Sequence, residues 1–148
     1  MILDTLKQLY KRDLAKLYTE IAAYQDEANL WRVDKNITNC GGNLCLHLIG
    51  NLNHYIGKYL GQTNYVRQRA LEFSAKNIPQ AELLKQVKAT SAMIDETLNQ
   101  LTIGDIKKEF PIIVFEEKMT VEFFLVHLTT HLAYHLGQIN YHRRLLDK

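Results

Sequence analysis

Apolar residues in this chain recur at steps of three and four, the period of an amphipathic helix rather than the alternation of a strand. From about Ile2 to Ala28, the positions Leu3, Leu6, Leu9, Tyr10, Leu14, Leu17, Tyr18 and Ile21 form one stripe and predict a long first helix. The period is lost from Asn29 to Gly42. That stretch contains Trp31, the only tryptophan, expected to plug one end of the core. Asn39 or Asn43 then offers a cap for a second helix, which carries Leu44, Leu46, His47, Leu48, Asn51, Leu52, Tyr55, Ile56, Tyr59 and Leu60. Gly61-Gln62-Thr63 weakens the pattern, and Tyr65 to Phe73 predicts a further helical piece.

Pro79 stops anything upstream and suits the first turn of a third long helix. Its predicted span is about Gln80 to Leu101, with Leu83, Leu84, Val87, Ala92, Met93 or Ile94, Leu98 and Leu101 facing inward. Thr102 to Met119 is the least helical stretch. Within it Phe110 to Phe115 is β-branched and aromatic, and is expected to lie extended across the helices without joining a sheet. Thr120 reads as the cap of the last helix, with Met119 and Phe124 placed as a hydrophobic staple and an end near Leu146. Long helices with short punctuated links predict an all-α chain, a four-helix bundle forming a single domain over residues 1–148.

Charge and cysteine content narrow the functional classes. A formal net charge of +2, with Arg67, Arg69, Arg143 and Arg144 dispersed, provides no basic stripe for nucleic acid. No apolar run approaches ~20 residues, so no membrane span is expected. The first turns carry charges where a signal peptide needs an apolar core, which points to the cytoplasm. Cys40 and Cys45 are five apart, about 140° around a helix, a poor geometry for a shared bond or ion. They read as free thiols.

The histidines change the picture. All six lie on the second and last predicted helices: His47 and His54 on one, His127, His131, His135 and His142 on the other. A helical step of four turns a side chain only ~40°, so His131 and His135 can clip one ion together. A third ligand has to come from another helix, and His47 is the candidate. Three neutral imidazoles suit a divalent transition metal such as zinc, nickel or iron and leave a position for water or substrate. The full dipositive charge favours an anionic fourth ligand, hydroxide or thiolate. Asn51 and Gln138 fall where they can orient ligands or substrate, and Tyr55 and Tyr134 where they can line a pocket. Taken singly, His54, His127 and His142 read as hydrogen-bonded core residues. Neither Glu-x-x-His on paired helices nor HExxH occurs, which removes di-iron and common zinc-protease chemistry.

The segment His131-Leu-Ala-Tyr-His135-Leu-Gly-Gln138 resembles the end of the DinB/YfiT-like metalloenzymes. Trp31, Ile37-Thr-Asn, Leu44-Cys-Leu-His47-Leu-Ile-Gly50-Asn51-Leu52 and Tyr65-Val-Arg67-Gln-Arg69-Ala-Leu-Glu72-Phe73 are similar to the DUF1572-type branch of that superfamily. The resemblance runs from the first helix to the last. It implies a four-helix bundle with a crossover connection, a metal held by His47, His131 and His135, and antiparallel second and last helices. It also implies a thiol-dependent S-transferase or hydrolase-type activity using a low-molecular-weight thiol and a small-molecule substrate, and a homodimer. Antiparallel helices would bring His54 beside His127 as a second histidine layer. Arg67 and Arg69 are expected either to pair with Glu72 or a helix end, or to bind an anionic substrate. The competing expectation is a non-catalytic metal-binding module or helical interaction scaffold.

Overall fold

A computed structural model describes residues 1–148. The chain is all-helical, in the order α1 (Ile2–Ala22), α2 (Gly41–Leu52), α3 (Arg69–Ser74), α4 (Gln80–Gln100), α5 (Ile103–Ile106) and α6 (Val121–Leu146). The Phe110 to Phe115 stretch forms no strand, and an isolated bridge between Glu109 and Thr120 is its nearest approach to one. No helix is long and apolar enough to cross a membrane.

Helix α1 ends at Ala22, short of Ala28, and Glu27–Trp31 forms a 3-10 turn instead. Asp26 caps that turn through the Ala28 amide, a local bond that competes with continuing the helix. The buried stripe of α1 is Leu3, Leu6, Tyr10, Leu14, Leu17 and Ile21, joined by Asp13. In α4 the inward residues are Leu83, Val87, Ile94 and Leu98, with Thr90 and Thr97 rather than Ala92. Ala92 is exposed, and Met93 only packs against the rim of the core.

Neither Asn39 nor Asn43 caps α2. Cys40 occupies that position, without a side-chain cap bond. Asn43 turns its amide group onto the carbonyls of Glu72 and Ala75, at 2.9 and 2.8 Å, and so ties α3 to the start of α2. Trp31 lies against Gly42, where an added Cβ would come within 2.7 Å of its ring. Trp31 is half-buried there and packs against the core. At the far end of α2 the backbone widens into a π-helical turn over Asn53–Lys58. Thr120 caps α6 by accepting from the Phe123 amide at 3.1 Å.

Relative helix directions follow from individual contacts. Tyr10 donates to the Leu125 carbonyl and Asn140 donates to Glu20, so α1 and α6 run parallel. Gln80 donates to the Ile21 carbonyl and Lys88 lies over Tyr18, which sets α4 antiparallel to α1. Between α2 and α6, a Cβ at Gly41 would approach His142, His47 meets His131, and Tyr55 meets Phe124. Those two helices are antiparallel. The consequence is a seam on which the middle of α2 faces the middle of α6.

Candidate metal centre

Helix periodicity places His131 and His135 on consecutive turns of α6, pointing to the same side. The antiparallel seam brings His47 of α2 across from them. His47 Nε2 lies 3.2 Å from His131 Nε2, and one ring nitrogen from each of His47, His131 and His135 falls within 4.8 Å of the others. A tetrahedral ion with metal–nitrogen bonds of ~2.0–2.1 Å would hold its ligand atoms about 3.3 Å apart. The spacing of the first pair already meets that requirement. The third nitrogen lies within 4.8 Å of the other two, on the half-buried ring of His135.

Outer contacts decide which nitrogen of each ring is free. His47 is buried, and its Nδ1 faces Glu72 Oε1 at 3.0 Å. Nδ1–H therefore donates to the carboxylate, and Nε2 turns its lone pair toward α6. Glu72 is held in turn by Arg67, whose Nε and Nη2 each donate at 2.9 Å to one carboxylate oxygen. Burial pushes the Glu72 carboxyl up, but the hydrogen bonds from His47 and Arg67 and the Arg67 charge outweigh it and leave the group below its ordinary value. Gly50 makes room for this arrangement, since a Cβ there would collide with Glu72 Oε2. On the other side of the site His135 Nδ1 donates to Gln138 Oε1 at 2.7 Å. His131 has no such partner, and its Nδ1 is buried without a hydrogen bond.

The electrostatics favour the neutral form of His131 and His135. Burial, followed by the neighbouring His135, His47 and His127, pushes His131 down to about 4. Burial also lowers His135, partly countered by its bond to Gln138. Neutral rings with free Nε2 lone pairs are the form that binds a transition metal. A carboxylate–histidine contact behind one ligand and an amide behind another is the usual support of such a site. The residues present fit a divalent transition metal.

A pocket of about 260 Å³ opens beside the triad, lined by His47, Asn51, Tyr55, Arg67, Arg69, Val114, Phe115, Phe124, His127, Leu128 and His131. A larger cleft of about 390 Å³ between α1 and α4 touches none of the three histidines. Asn51 does not bond a ligand ring. It is buried in the pocket wall with its Oδ1 unpartnered. Tyr55 lines this pocket, whereas Tyr134 is exposed and meets only the edge of His135 at 5.2 Å.

The remaining histidines take separate roles. His54 packs its ring against Tyr55 and Tyr59, and His127 packs against Phe115 and Phe124. The expected second histidine layer is not formed by ring contact. The π-helical turn that begins at Asn53 breaks the 3.6-residue period, so the register carried forward from His47 no longer places His54. His142 is a hydrogen-bonded core residue: Tyr24 Oη lies 2.6 Å from its Nδ1, and its Nε2–H donates to the Arg32 carbonyl at 2.8 Å. The pairing of Arg67 with Glu72 was legible as an ion pair. The bond from Glu72 to His47, 25 residues away, was not.

A comparison with curated proteins returned no match. The family model described as "Protein of unknown function (DUF1572)" matches residues 2–148, and the chain belongs to that family.

Proposed function

We propose that this protein is a metal-dependent enzyme with an open three-histidine site, in which His47, His131 and His135 would hold a divalent transition metal, zinc, nickel or iron. One observation carries the reading: three imidazoles from two helices converge within 4.8 Å, and two of them have the nitrogen away from the convergence point engaged by Glu72 and Gln138. A metal bound there supplies Lewis acidity, lowering the pKa of a coordinated water or thiol. The protein's own contribution is orientation. Glu72 and Arg67 hold His47 in one tautomer, Gln138 aims His135, and the aromatic wall of the pocket limits water.

The parallel pairing of α1 with α6, and the opposite direction of α2 and α4, support a four-helix bundle with a crossover connection between α2 and α4. Together with the triad, that supports placement among the DinB/YfiT-like metalloenzymes. On this reading the substrate is a small molecule and a low-molecular-weight thiol is the co-substrate of a transferase or hydrolase-type reaction, in the cytoplasm. A homodimer is part of the same proposal.

Elemental analysis of untagged protein after remetallation and dialysis tests the site directly. About one transition-metal ion per chain, lost in His131→Ala, is the expected result. Metal at hundredfold excess over Kd would also stabilise the fold by ~2.7 kcal/mol, or about 5–10 °C in Tm for a chain of this size. No bound metal in either protein would leave a helical scaffold as the better description.

A further inference from the structure

The pocket beside the triad carries chemistry that a metal alone does not use. Asn51 is only 7% exposed, yet its Oδ1 has no hydrogen-bond partner. Nothing in the protein satisfies this atom, which makes Asn51 Oδ1 an unpaired acceptor in the wall of the pocket. Arg67 is paired with Glu72 through Nε and Nη2. Arg69, by contrast, is exposed at the pocket rim, lies 5.7 Å over the Phe73 ring and forms no ion pair. No acidic residue lines the pocket. The opposite wall is aromatic, with Phe115 and His127 edge to face at 4.9 Å and Phe124 stacked on His127 at 6.0 Å.

Acceptor, cation and flat apolar wall in one small cavity define a ligand class. We propose that the pocket binds a small organic anion with a flat apolar body and an N–H or O–H donor. The acid group faces Arg69, the donor reaches Asn51 Oδ1, and the body lies against Phe115 and Phe124. The volume, about 260 Å³, is just below the roughly 300–1,000 Å³ of drug-sized sites. That suits a single ring with short substituents. This inference rests on the metal reading and adds the substrate class for the same site.

The test uses the full chain loaded with cobalt(II) and four probes whose hydroxamate head binds the ion: benzohydroxamate, its 3- and 4-carboxylated forms, and N-methylbenzohydroxamate. Cobalt content is read by elemental analysis, and binding by the visible cobalt spectrum. At least one carboxylated probe is expected to bind about tenfold more tightly than benzohydroxamate, the size of one charge-assisted hydrogen bond. That advantage should vanish in Arg69→Ala and persist in Arg69→Lys, with cobalt content unchanged in both. N-methylation should weaken binding to the unaltered protein and have less effect on Asn51→Ala. Cobalt bound with no carboxylate preference, or a preference that survives Arg69→Ala, would overturn this inference and leave the metal reading intact. Failure of the unaltered protein to retain cobalt would overturn both.

Discussion

Glu72 Oε1 stands 3.0 Å from His47 Nδ1, joining a short helix to the one histidine that α2 contributes to the triad. Through this contact the carboxylate sets which nitrogen of His47 faces α6. Arg67 in turn holds the carboxylate in place.

Glu72→Gln is therefore expected to weaken metal binding by about 10–100-fold, the usual effect of removing such a support. Gly50→Ala should act the same way without touching either residue, because its methyl group displaces the Glu72 side chain. Competition titration against a chromogenic chelator measures both. Unchanged affinity in both variants would show that His47 needs no outer partner.

Gln138 supports His135 from an exposed position. Water can replace its amide oxygen, so Gln138→Ala should reduce metal affinity by no more than about tenfold, the low end of such effects, with the unfolding midpoint of the metal-free protein unchanged. A loss as large as that of His131→Ala would mean that Gln138 is itself a ligand.

Acidification should destabilise the metal-free protein before its carboxylates titrate. Between the ordinary imidazole value of 6.5 and about 4, the unfolded chain takes up a proton at His131 that the folded chain refuses. Stability therefore rises with pH across that window and falls as pH is lowered through it. Burial lowers His142 too, which adds a contribution of the same sign. Glu72, held below 4.5, contributes stability that is lost only at lower pH still. Urea unfolding of chelator-treated protein at pH 7.5, 6 and 5 should show the midpoint falling. A flat profile would mean these rings are protonated in the fold as readily as outside it.

The aromatic cluster under the pocket is a stability element. Phe124 is 1% exposed and contacts Tyr55 and Phe110 at 4.9 and 4.6 Å. Phe124→Ala should cost about 3–5 kcal/mol, measured by denaturant unfolding. Phe115, by contrast, is 45% exposed, and the comparison variant is Phe115→Ala. That truncation should cost well under half as much, since little apolar surface returns to water. Equal losses would place Phe115 in the core.

Most of the long elements, the cap at Thr120, the start of α4 next to Pro79, and the pairing of His131 with His135 were legible along the chain. Each depends on neighbours within a turn or two, where a 3.6-residue period constrains side-chain direction. His47 was legible as an inward histidine, and the resemblance supplied its place in the triad. Glu72 was not legible as its partner, because the contact spans 25 residues and a loop of irregular backbone.

By itself the sequence determined that the chain is helical, where α4 and α6 begin and end to within a residue or two, and which six histidines were available. Amphipathic period and capping are local, so they survive without knowledge of the fold. Only the tertiary structure decided which histidines meet. The antiparallel seam of α2 and α6 brings His47 to His131, and the π-helical turn after Leu52 carries His54 to Tyr59. The meeting of His47 and His131 depends on contacts between segments distant in sequence, whose free energy is settled by packing and not by local period.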